Sequence, residues 1–324
     1  MKICFHLCLL FISFIWCHAT ATKKNMIFDF GGVLFYTNKR ISFQHLGALN
    51  IAEYAVRQRI NPFYFEHYLK TVLFATLDLI AQEQNLDATQ YHQAYDENGK
   101  PLPILLNAWL QGAMACSEIR SLITTSINAH PEWFTCRAEQ RLIENVLNML
   151  LTPEHFVNSQ KLSPEAVAFI KRCKKEGHKI YGLSNWDPES FALLKEKHSH
   201  VFDLFDGIII SGQVKANKPQ APIYHALLNT YQLEPQQCWF FDDQKVNVEA
   251  AQKLGINAIV HEACFKKLLQ NIKLAYSKSV TRRENFKNNG INATNINTTN
   301  NAIIDGEKIS LTDSTEYNCP PAKA

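Results

Sequence analysis

A short apolar run that ends at an acidic residue is the feature that most constrains the fold of this chain. Residues 26–28 read Met-Ile-Phe, Asp29 follows, and the pair Gly31-Gly32 comes directly after. The run predicts a buried strand, and the glycines predict that the backbone turns away at its end. Open α/β sheets bind ligands at the carboxyl ends of their strands. We therefore expect Asp29 at a binding edge, where glycine lets the loop approach a ligand closely.

Three later segments also end in polar side chains, and a helical pattern follows each of them. In chain order, these side chains are Ser184 and Asn185, then Lys218, then the pair Asp242 and Asp243. Further strands are expected at residues 205–211 and 257–261. Alternation of strands with helices of this length predicts an α/β fold with a parallel, doubly wound sheet.

The order of Asp29, Ser184, Lys218 and the Asp242-Asp243 pair resembles the four-motif signature of the haloacid dehalogenase (HAD) superfamily of phosphohydrolases. The surrounding residues add to the resemblance, with Leu-Ser-Asn at the second motif and Phe-Asp-Asp-x-x-x-Asn-Val-Glu-Ala-Ala at the fourth. Some bacterial relatives, including sugar-phosphate phosphatases, have the same Asp-x-Gly first motif. The resemblance covers residues 25–274 except the segment between the first two motifs. It implies a HAD-like Rossmannoid sheet with an inserted α-helical cap.

Residues 37–156 differ from the flanking segments in their helical periodicity. Apolar residues recur there at helical spacing, and proline-containing breaks divide the segment into four or five predicted helices. In the resembling family, a helical insertion at this place covers the active site and selects substrates. The residues that could face a ligand are His92, His130, Trp109 and Trp133, with helix packing or solvent exposure as the alternative for each.

The remaining segments complete the expected domain organisation. Residues 22–36 and 157–277 would form the HAD-like core domain around the cap of residues 37–156. Residues 278–324 include a tract rich in asparagine and threonine, and we expect them to form a disordered tail. The formal net charge is only +3, which gives no argument for a nucleic-acid partner. The cysteines lack metal-ligand spacing, so most are expected to be small buried residues.

Residues 1–21 have the three parts of a secretory signal peptide. Lys2 supplies the basic start, residues 3–17 the apolar middle, and Ala19-Thr20-Ala21 the small-residue cleavage site. We expect cleavage after Ala21 and export to the periplasm or beyond. One alternative is an uncleaved membrane anchor, although the apolar run is shorter than the roughly 20 residues of a spanning helix. Lipidation of Cys17 is the other.

The resemblance also implies a mechanism for phosphoryl transfer. Asp29 would be the nucleophile and would form an aspartyl-phosphate that water then hydrolyses. Ser184 would donate a hydrogen bond to a phosphate oxygen, with the backbone of Asn185 beside it. The positive charge of Lys218 would lie against the phosphoryl group and Asp29.

A metal ion belongs to the same implied mechanism. Asp242 and Asp243 would bind Mg²⁺, which prefers hard oxygen ligands and can complete its octahedron with phosphate and water. By resemblance, Asp29 and the backbone carbonyl of Gly31 would also be ligands. Developing charge on the transferring phosphoryl group would then be neutralised by the ion.

Gly31 is where the sequence departs from the family pattern. Phosphatases of the family usually carry a second aspartate two residues after the nucleophile, which protonates the leaving group and later activates water. Loss of such acid and base help typically costs about 10² to 10⁴ in rate. The glycine is compatible with a phosphatase that uses another acid or an easy leaving group, with a different hydrolysis, or with a protein that only binds. Asp187 or a cap histidine could replace the missing acid.

A Mg²⁺-dependent phosphatase of a small phosphomonoester, such as a sugar phosphate, is the function we expect. The alternative from another class is a catalytically weak, secreted HAD-like binding or interaction module. A dehalogenase is a further alternative, but its chemistry needs no metal, and the pair Asp242-Asp243 favours one. Neither the substrate nor the oligomeric state follows from the sequence.

Overall fold

A computed structural model describes residues 23–61 and 64–262 of the chain. The predicted signal peptide of residues 1–21 and the predicted tail of residues 278–324 therefore lie outside the described residues. Within the described part, the predicted α/β architecture is confirmed: a parallel sheet is joined to an inserted layer of helices.

Five parallel strands form the central sheet, in the order β5-β4-β1-β6-β7, and two further strands form a separate antiparallel ribbon. In chain order the strands are β1 (Asn25–Phe28), β2 (Phe35–Thr37), β3 (Gln160–Leu162), β4 (Lys179–Ser184), β5 (Gly207–Ile210), β6 (Cys238–Asp242) and β7 (Asn257–Val260). The strands predicted at 205–211 and 257–261 are thus present but shorter, since Ser211 already begins a helix. The reversal of strand order beside β1 is typical of a doubly wound sheet.

β1 is the central strand because it pairs with β4 on one side and with β6 on the other. Met26, Ile27 and Phe28 have no exposed surface. Successive side chains of a strand point to opposite faces, so Met26 and Phe28 pack in one apolar cluster while Ile27 packs in the other. Helices cover both faces, which explains why this strand is a continuous apolar run instead of an alternating one.

Seven helices lie between residues 39 and 158 in the described part of the chain, where four or five were predicted. They are α1 (Lys39–Leu46), α2 (Ala48–Gln58), α3 (Phe65–Glu83), α4 (Ile104–Leu110), α5 (Cys116–Ala129), α6 (Arg137–Leu151) and α7 (Pro153–Asn158). The prediction missed three breaks, one of them at residues 111–115 between α4 and α5. Gly47, with φ of 80°, separates α1 from α2, and Pro153 starts α7 directly after α6. This helical cap has its own apolar cluster, in which Leu77, Ile80 and Leu142 are fully buried.

The remaining described helices belong to the core and follow the strands of the sheet. They are α8 (Pro164–Lys175), α9 (Pro188–Lys197), α10 (Ser199–Phe202), α11 (Ser211–Val214), α12 (Ala221–Thr230) and α13 (Lys245–Lys253). Ser163 caps α8 through a 3.1 Å bond from the backbone N–H of Ala166, and proline occupies the first turn. No helix in the described ranges has the combined length and apolar character that crossing a membrane requires.

The ribbon of β2 and β3 joins the cap to the core. The chain leaves the core through β2 and returns through β3, and these strands pair from Phe35 opposite Leu162 to Thr37 opposite Gln160. The backbone N–H of Asn38 extends the pairing with a 2.7 Å bond to the carbonyl of Ser159. Both connections therefore run side by side, close to the predicted boundaries at residues 36 and 157, which stay predictions.

The four described cysteines agree with the expectation that most are buried. Cys116, Cys173 and Cys238 are buried, Cys136 is partly exposed, and all four are free thiols. Cys264 and Cys319 lie outside the described residues.

Candidate active site

The carboxyl edge of the sheet brings the predicted site residues together. Asp29 directly follows β1, Ser184 is the last residue of β4, and Asp242 is the last residue of β6. Because these three strands are adjacent and parallel, their ends lie side by side. Lys218 reaches the same point from the loop after α11, and Asp243 follows Asp242.

Asp29 is held by donors on both of its carboxylate oxygens. The Ser184 hydroxyl donates a 2.6 Å hydrogen bond to Oδ1, and the backbone N–H of Phe30 donates a 2.7 Å bond to the same atom. The Lys218 ammonium lies 2.9 Å from Oδ2. The carboxylate is therefore fixed in orientation before any ligand is present.

Lys218 is a buried ammonium between two carboxylates. Its Nζ contacts Asp242 Oδ2 at 2.6 Å and the backbone carbonyl of Leu183 at 3.0 Å, in addition to Asp29. Burial by itself lowers the pKa of a lysine, but here Asp242 and Asp29 outweigh it and raise the pKa of Lys218 above its ordinary value. The side chain therefore carries its positive charge at neutral pH.

Asp242 is fully buried and fixes the position of the Lys218 ammonium. Its Oδ1 accepts a 2.8 Å bond from the backbone N–H of Gln244 and a 3.0 Å bond from Nδ2 of Asn247. Its Oδ2 accepts from Lys218, so both oxygens already have protein donors. Asn247 lies in α13, at the asparagine of the fourth motif. Asn247 is part of the fourth motif in the sequence, but the motif alone did not indicate that its side chain bonds Asp242.

Three carboxylates form the candidate metal centre. Asp29, Asp242 and Asp243 each offer an oxygen, and these oxygens lie within 4.8 Å of one another. Burial, followed by the charges of Asp29 and Asp242, raises the pKa of Asp243 to about 8. Burial and the charge of Asp242 raise the pKa of Asp29 to about 7 against the opposing effect of Lys218. A cation at this point would relieve the repulsion and favour the ionised carboxylates.

The surroundings of the carboxylates fit a small divalent cation with oxygen ligands. Oδ1 of Asn247 is buried and has no hydrogen-bond partner among the described residues, so an acceptor remains available beside the site. Gly32 has a φ of 70°, and a Cβ there would collide with the Asp243 carboxylate. The absence of a side chain at Gly32 therefore allows Asp243 to lie against the loop that follows Asp29.

Asn185 has a role that the sequence did not indicate. We expected its backbone beside a phosphate oxygen, but its side chain holds the backbone of Lys218 from both sides. Oδ1 accepts a 2.7 Å bond from the N–H of Lys218, and Nδ2 donates a 3.0 Å bond to the carbonyl of the same residue. Asn185 of the second motif thus fixes the backbone of Lys218 in the third motif through its side-chain amide.

A cavity of about 540 Å³ opens above these residues, between the sheet edge and the cap. Asp29, Gly31, Ser184, Lys218 and Asp243 lie in its wall on the core side. The cap contributes apolar and polar residues: Trp109, Leu110, Phe156, Lys39, Glu66 and Glu97. A Cβ at Gly31 would have no heavy atom within 4 Å, so this position faces open space.

Of the four cap residues proposed to face a ligand, Trp109 lines the cavity and the other three do not. His130 stacks on Trp133 with ring centroids 4.4 Å apart and pairs with Glu132. The backbone carbonyl of His92 accepts a bond from Asn217. None of the described residues that line the cavity is a histidine.

Comparison with known proteins places the chain in a family. The model of the haloacid dehalogenase-like hydrolases matches residues 23–255, which is more than half of the chain. The sesquiterpene phosphatase astK of Aspergillus oryzae is 32% identical over 97 residues, or 29% of this chain and 49% of that protein. A phosphorylated carbohydrates phosphatase of Thermotoga maritima is 30% identical over 95 residues, or 29% of this chain and 42% of that protein.

The chain thus spans less than half the length of these two curated relatives. Among solved structures, a HAD family enzyme from Bacteroides thetaiotaomicron in complex with magnesium and inorganic phosphate is 16% identical, with a TM-score of 0.45. That match covers 75% of this chain and 96% of the other. On the family match over residues 23–255, this chain belongs to the haloacid dehalogenase-like hydrolases.

Proposed function

We propose that this hydrolase is a Mg²⁺-dependent phosphatase that acts on a small phosphomonoester through an aspartyl-phosphate. The observation that carries the proposal is the convergence of Ser184 and Lys218 on Asp29, at 2.6 and 2.9 Å. Phosphoryl transfer requires a nucleophile in line with the leaving group and donors for the phosphate oxygens. Asp29 supplies the first, while Ser184 and Lys218 supply the second.

In the first step, a carboxylate oxygen of Asp29 bonds to phosphorus while the bond from phosphorus to the leaving oxygen breaks. The leaving oxygen departs as an alcohol after taking a proton from solvent water, or as an anion when the leaving group is activated. Water then attacks the aspartyl-phosphate, which releases inorganic phosphate and restores the Asp29 carboxylate. Throughout, Lys218 keeps its proton and its charge, because Asp242 and Asp29 stabilise the ammonium.

The residues that would hold Mg²⁺ are Asp29, Asp242, Asp243 and the carbonyl of Gly31. Asp243 and Asp29 are the direct ligands that we favour, since both line the cavity, whereas Asp242 has no exposed surface. When bound, the ion would neutralise charge on the phosphate oxygens. Carboxylate oxygens are the ligands that suit this ion.

Two side chains in the cavity wall are candidate donors of the leaving-group proton, Asp187 and Tyr36. Burial raises the pKa of Asp187, which favours its acid form, but its two oxygens cap α9 by accepting a 2.9 Å bond from the N–H of Ser190 and a bond from the Ser190 hydroxyl. Tyr36 lines the cavity too, but burial and the charges of Asp243 and Glu165 raise its pKa to about 12. Neither is well suited to donate a proton at neutral pH. We therefore propose that esters with activated leaving groups are hydrolysed faster than alkyl esters such as sugar phosphates.

Two leaving-group chemistries are compatible with the curated relatives. One relative is named as a phosphatase of phosphorylated carbohydrates and the other as a sesquiterpene phosphatase. Polar cavity residues such as Thr37, Gln160 and Gln244 support a hydroxylated leaving group, and we propose a sugar phosphate on that basis. Trp109 and Phe156 would also contact an apolar one.

A phosphatase assay tests the proposal. Purified protein is offered an aryl phosphate, a panel of sugar phosphates and an isoprenyl phosphate, each with Mg²⁺ and with excess chelator. Hydrolysis that requires the metal is the expected result. Full activity in chelator would remove the metal from the mechanism. Inactivity towards the whole panel would favour the alternative of a HAD-like binding module, which the glycine at position 31 also fits.

Export remains a second proposal, and residues 1–21 support it. Mass spectrometry of protein recovered from the exported fraction is expected to give Thr22 as the first residue. A chain that keeps Met1 would contradict the signal-peptide interpretation.

A further inference from the structure

The cap meets the core at a second place besides the ribbon of β2 and β3. Three core side chains, which we call the clasp, donate hydrogen bonds to backbone carbonyls at the end of α4 and just after it. Ser211 Oγ bonds the carbonyl of Leu110 at 2.5 Å, Asn217 Nδ2 bonds that of Asn107 at 3.3 Å, and Lys215 Nζ bonds that of Gly112. Leu110 ends α4, and carbonyls at the end of a helix lack partners within the helix, so Ser211 satisfies a group that would otherwise need water. The carbonyl of Asn107 also accepts a 3.1 Å bond from the backbone N–H of Gln111.

Asn217 is the innermost member of the clasp. It has no exposed surface, and its Nδ2 donates a second bond, of 3.0 Å, to the carbonyl of His92. Both acceptors belong to the cap. The structure also ties them to each other, because the Asn107 side chain accepts a 3.0 Å bond from the N–H of Ala94 and donates a 3.1 Å bond to the carbonyl of Leu102. Asn217 therefore binds two segments of the cap that are also hydrogen-bonded to each other.

The residue after Asn217 is Lys218. The Asn185 amide holds the backbone of Lys218 from the core side, while the side chain of the preceding residue, Asn217, is bonded to the cap. Two other residues of α4, Trp109 and Leu110, line the cavity. A displacement of α4 would thus move the cavity wall and, through Asn217, the backbone that carries the ammonium of Lys218.

We propose that Asn217 is a positioning residue. It couples the position of the cap relative to the core to the position of Lys218 beside Asp29. The proposal rests on the proposed function, since it assumes that Lys218 acts on a phosphoryl group. When the cap is bound to the core through Asn217, the backbone of Lys218 lies at a position from which Nζ contacts both Asp29 and Asp242. Once its donor is lost, the cap and the lysine move independently, and the geometry for phosphoryl transfer is held less well.

The chain offers a matched control within the clasp. Lys215 is exposed and donates to Gly112, but it lies three residues before Lys218 and is not among the described residues that line the cavity. Asn217→Asp keeps the size of the side chain and removes the donor, whereas Asn217→Ser keeps a donor in a smaller side chain. The comparison of these variants with Lys215→Ala separates coupling to Lys218 from a general loosening of the cap.

Steady-state kinetics on an aryl phosphate gives the first readout. Asn217→Asp is expected to lower kcat on the order of 10 to 100-fold, because misplacement of a catalytic group by about 1 Å has effects of this size. KM should change less than kcat, Asn217→Ser should recover part of the loss, and Lys215→Ala should stay within about threefold of the native kcat. Equal losses in Asn217→Asp and Lys215→Ala, or a native kcat in Asn217→Asp, would overturn the proposal.

Hydrogen exchange in the full chain gives a readout that needs neither turnover nor a variant. Inorganic phosphate is the probe, and its binding at Lys218 should slow exchange of the amides of residues 104–112 in the native protein, because coupling between two sites is reciprocal. Asn217→Asp should lose this response, and Lys215→Ala should keep it. If phosphate does not change the exchange rates of the α4 amides in the native protein, the proposed coupling is wrong. Native protein that shows the response yet hydrolyses no phosphoester would refute the proposed function and leave the coupling standing.

Discussion

The Ser184 hydroxyl lies 2.6 Å from Oδ1 of Asp29, although 155 residues separate the two in the chain. Parallel pairing of β1 with β4 produces this contact, since Phe28 lies opposite Gly182 and both strands end within two residues of that pair. The same argument applies on the other side of β1, where the N–H of Asp29 donates a 2.9 Å bond to the carbonyl of Phe241. Asp29, the proposed nucleophile, is thus held by both neighbouring strands.

Asp29→Asn is expected to abolish turnover and leave the fold intact. An amide of the same size can still accept from Ser184 and Phe30, but it cannot form the aspartyl-phosphate. We expect kcat to fall by at least about 10³-fold. The control is the melting temperature, which should change little because burial already raises the pKa of Asp29 to about 7 and Lys218 keeps Asp242 as its counter-charge. Retained activity in the folded variant would show that the nucleophile lies elsewhere.

Removal of the metal should lower stability as well as activity. A ligand present at 100 times its Kd adds about 2.7 kcal/mol to the free energy of unfolding. Saturating Mg²⁺ should therefore raise the melting temperature by several degrees, and Asp243→Asn should lose most of that increase. Glu249→Gln, which changes an exposed carboxylate of α13, serves as the control and should keep it. An unchanged response in Asp243→Asn would remove this residue from the metal site.

Gly31→Asp is expected to supply the missing proton donor at little structural cost. The backbone of Gly31 is not in the left-handed region, and a Cβ there would meet no heavy atom within 4 Å. Hydrolysis of an alkyl phosphate, whose leaving group needs a proton, should rise by up to about 10²-fold, and hydrolysis of a nitrophenyl phosphate should change little. A native enzyme that already treats both esters alike, together with no gain in the variant, would show that another group donates the proton.

Lys218→Met should both inactivate and destabilise the protein. The substitution leaves Asp29 and Asp242 buried without their shared cation, and loss of one partner from a buried ion pair typically costs about 3 to 5 kcal/mol. Denaturant unfolding measures the difference. Lys215→Met, which removes an exposed lysine three residues earlier, should cost less than about 1 kcal/mol. Similar losses in the two variants would mean that the buried charges are compensated in another way.

Asp206 gives a pH-dependent test of the sheet that carries the site. Burial alone would raise the pKa of Asp206, but bonds from the N–H of Ile180 and from Lys174 and Lys179 hold it below its ordinary value of 3.8. A lowered folded pKa contributes stability that is present above the ordinary value and is lost as the pH falls through the folded pKa. Asp206→Asn should therefore cost about 1 to 2 kcal/mol at pH 7. The difference should begin to shrink below about pH 4, where the carboxylate of the unfolded chain becomes protonated, and it should be lost as the pH falls through the lower folded pKa.

The control for that experiment is Asp203→Asn, which changes an exposed carboxylate nearby. Its unfolding free energy should match that of the native protein within about 0.5 kcal/mol at both pH values. A constant difference between native protein and Asp206→Asn across pH 3 to 7 would show that packing, and not charge, accounts for the effect.

The sequence by itself determined the strands, the order of the motifs and the helical nature of the insertion. These features depend on local periodicity, which a single chain displays directly: residues 26–28 are apolar and end at Asp29, and Asp242-Asp243 ends a second such run. Parallel strands end at a common edge of a sheet, so the approach of Asp29, Ser184 and Asp242 to one another also followed from the predicted topology. The resemblance of the motifs to the family gave the same grouping.

Tertiary structure decided how the cap is seated and which side chains brace the site. Asn217 contacts a carbonyl 125 residues away, and the two bonds of Asn185 to Lys218 span 33 residues. No local pattern marks an asparagine that bonds distant backbone groups, because its partners depend on how two layers pack. For the same reason, sequence could propose four cap residues as ligand contacts, but only packing brought Trp109 to the cavity while His130 stacked on Trp133.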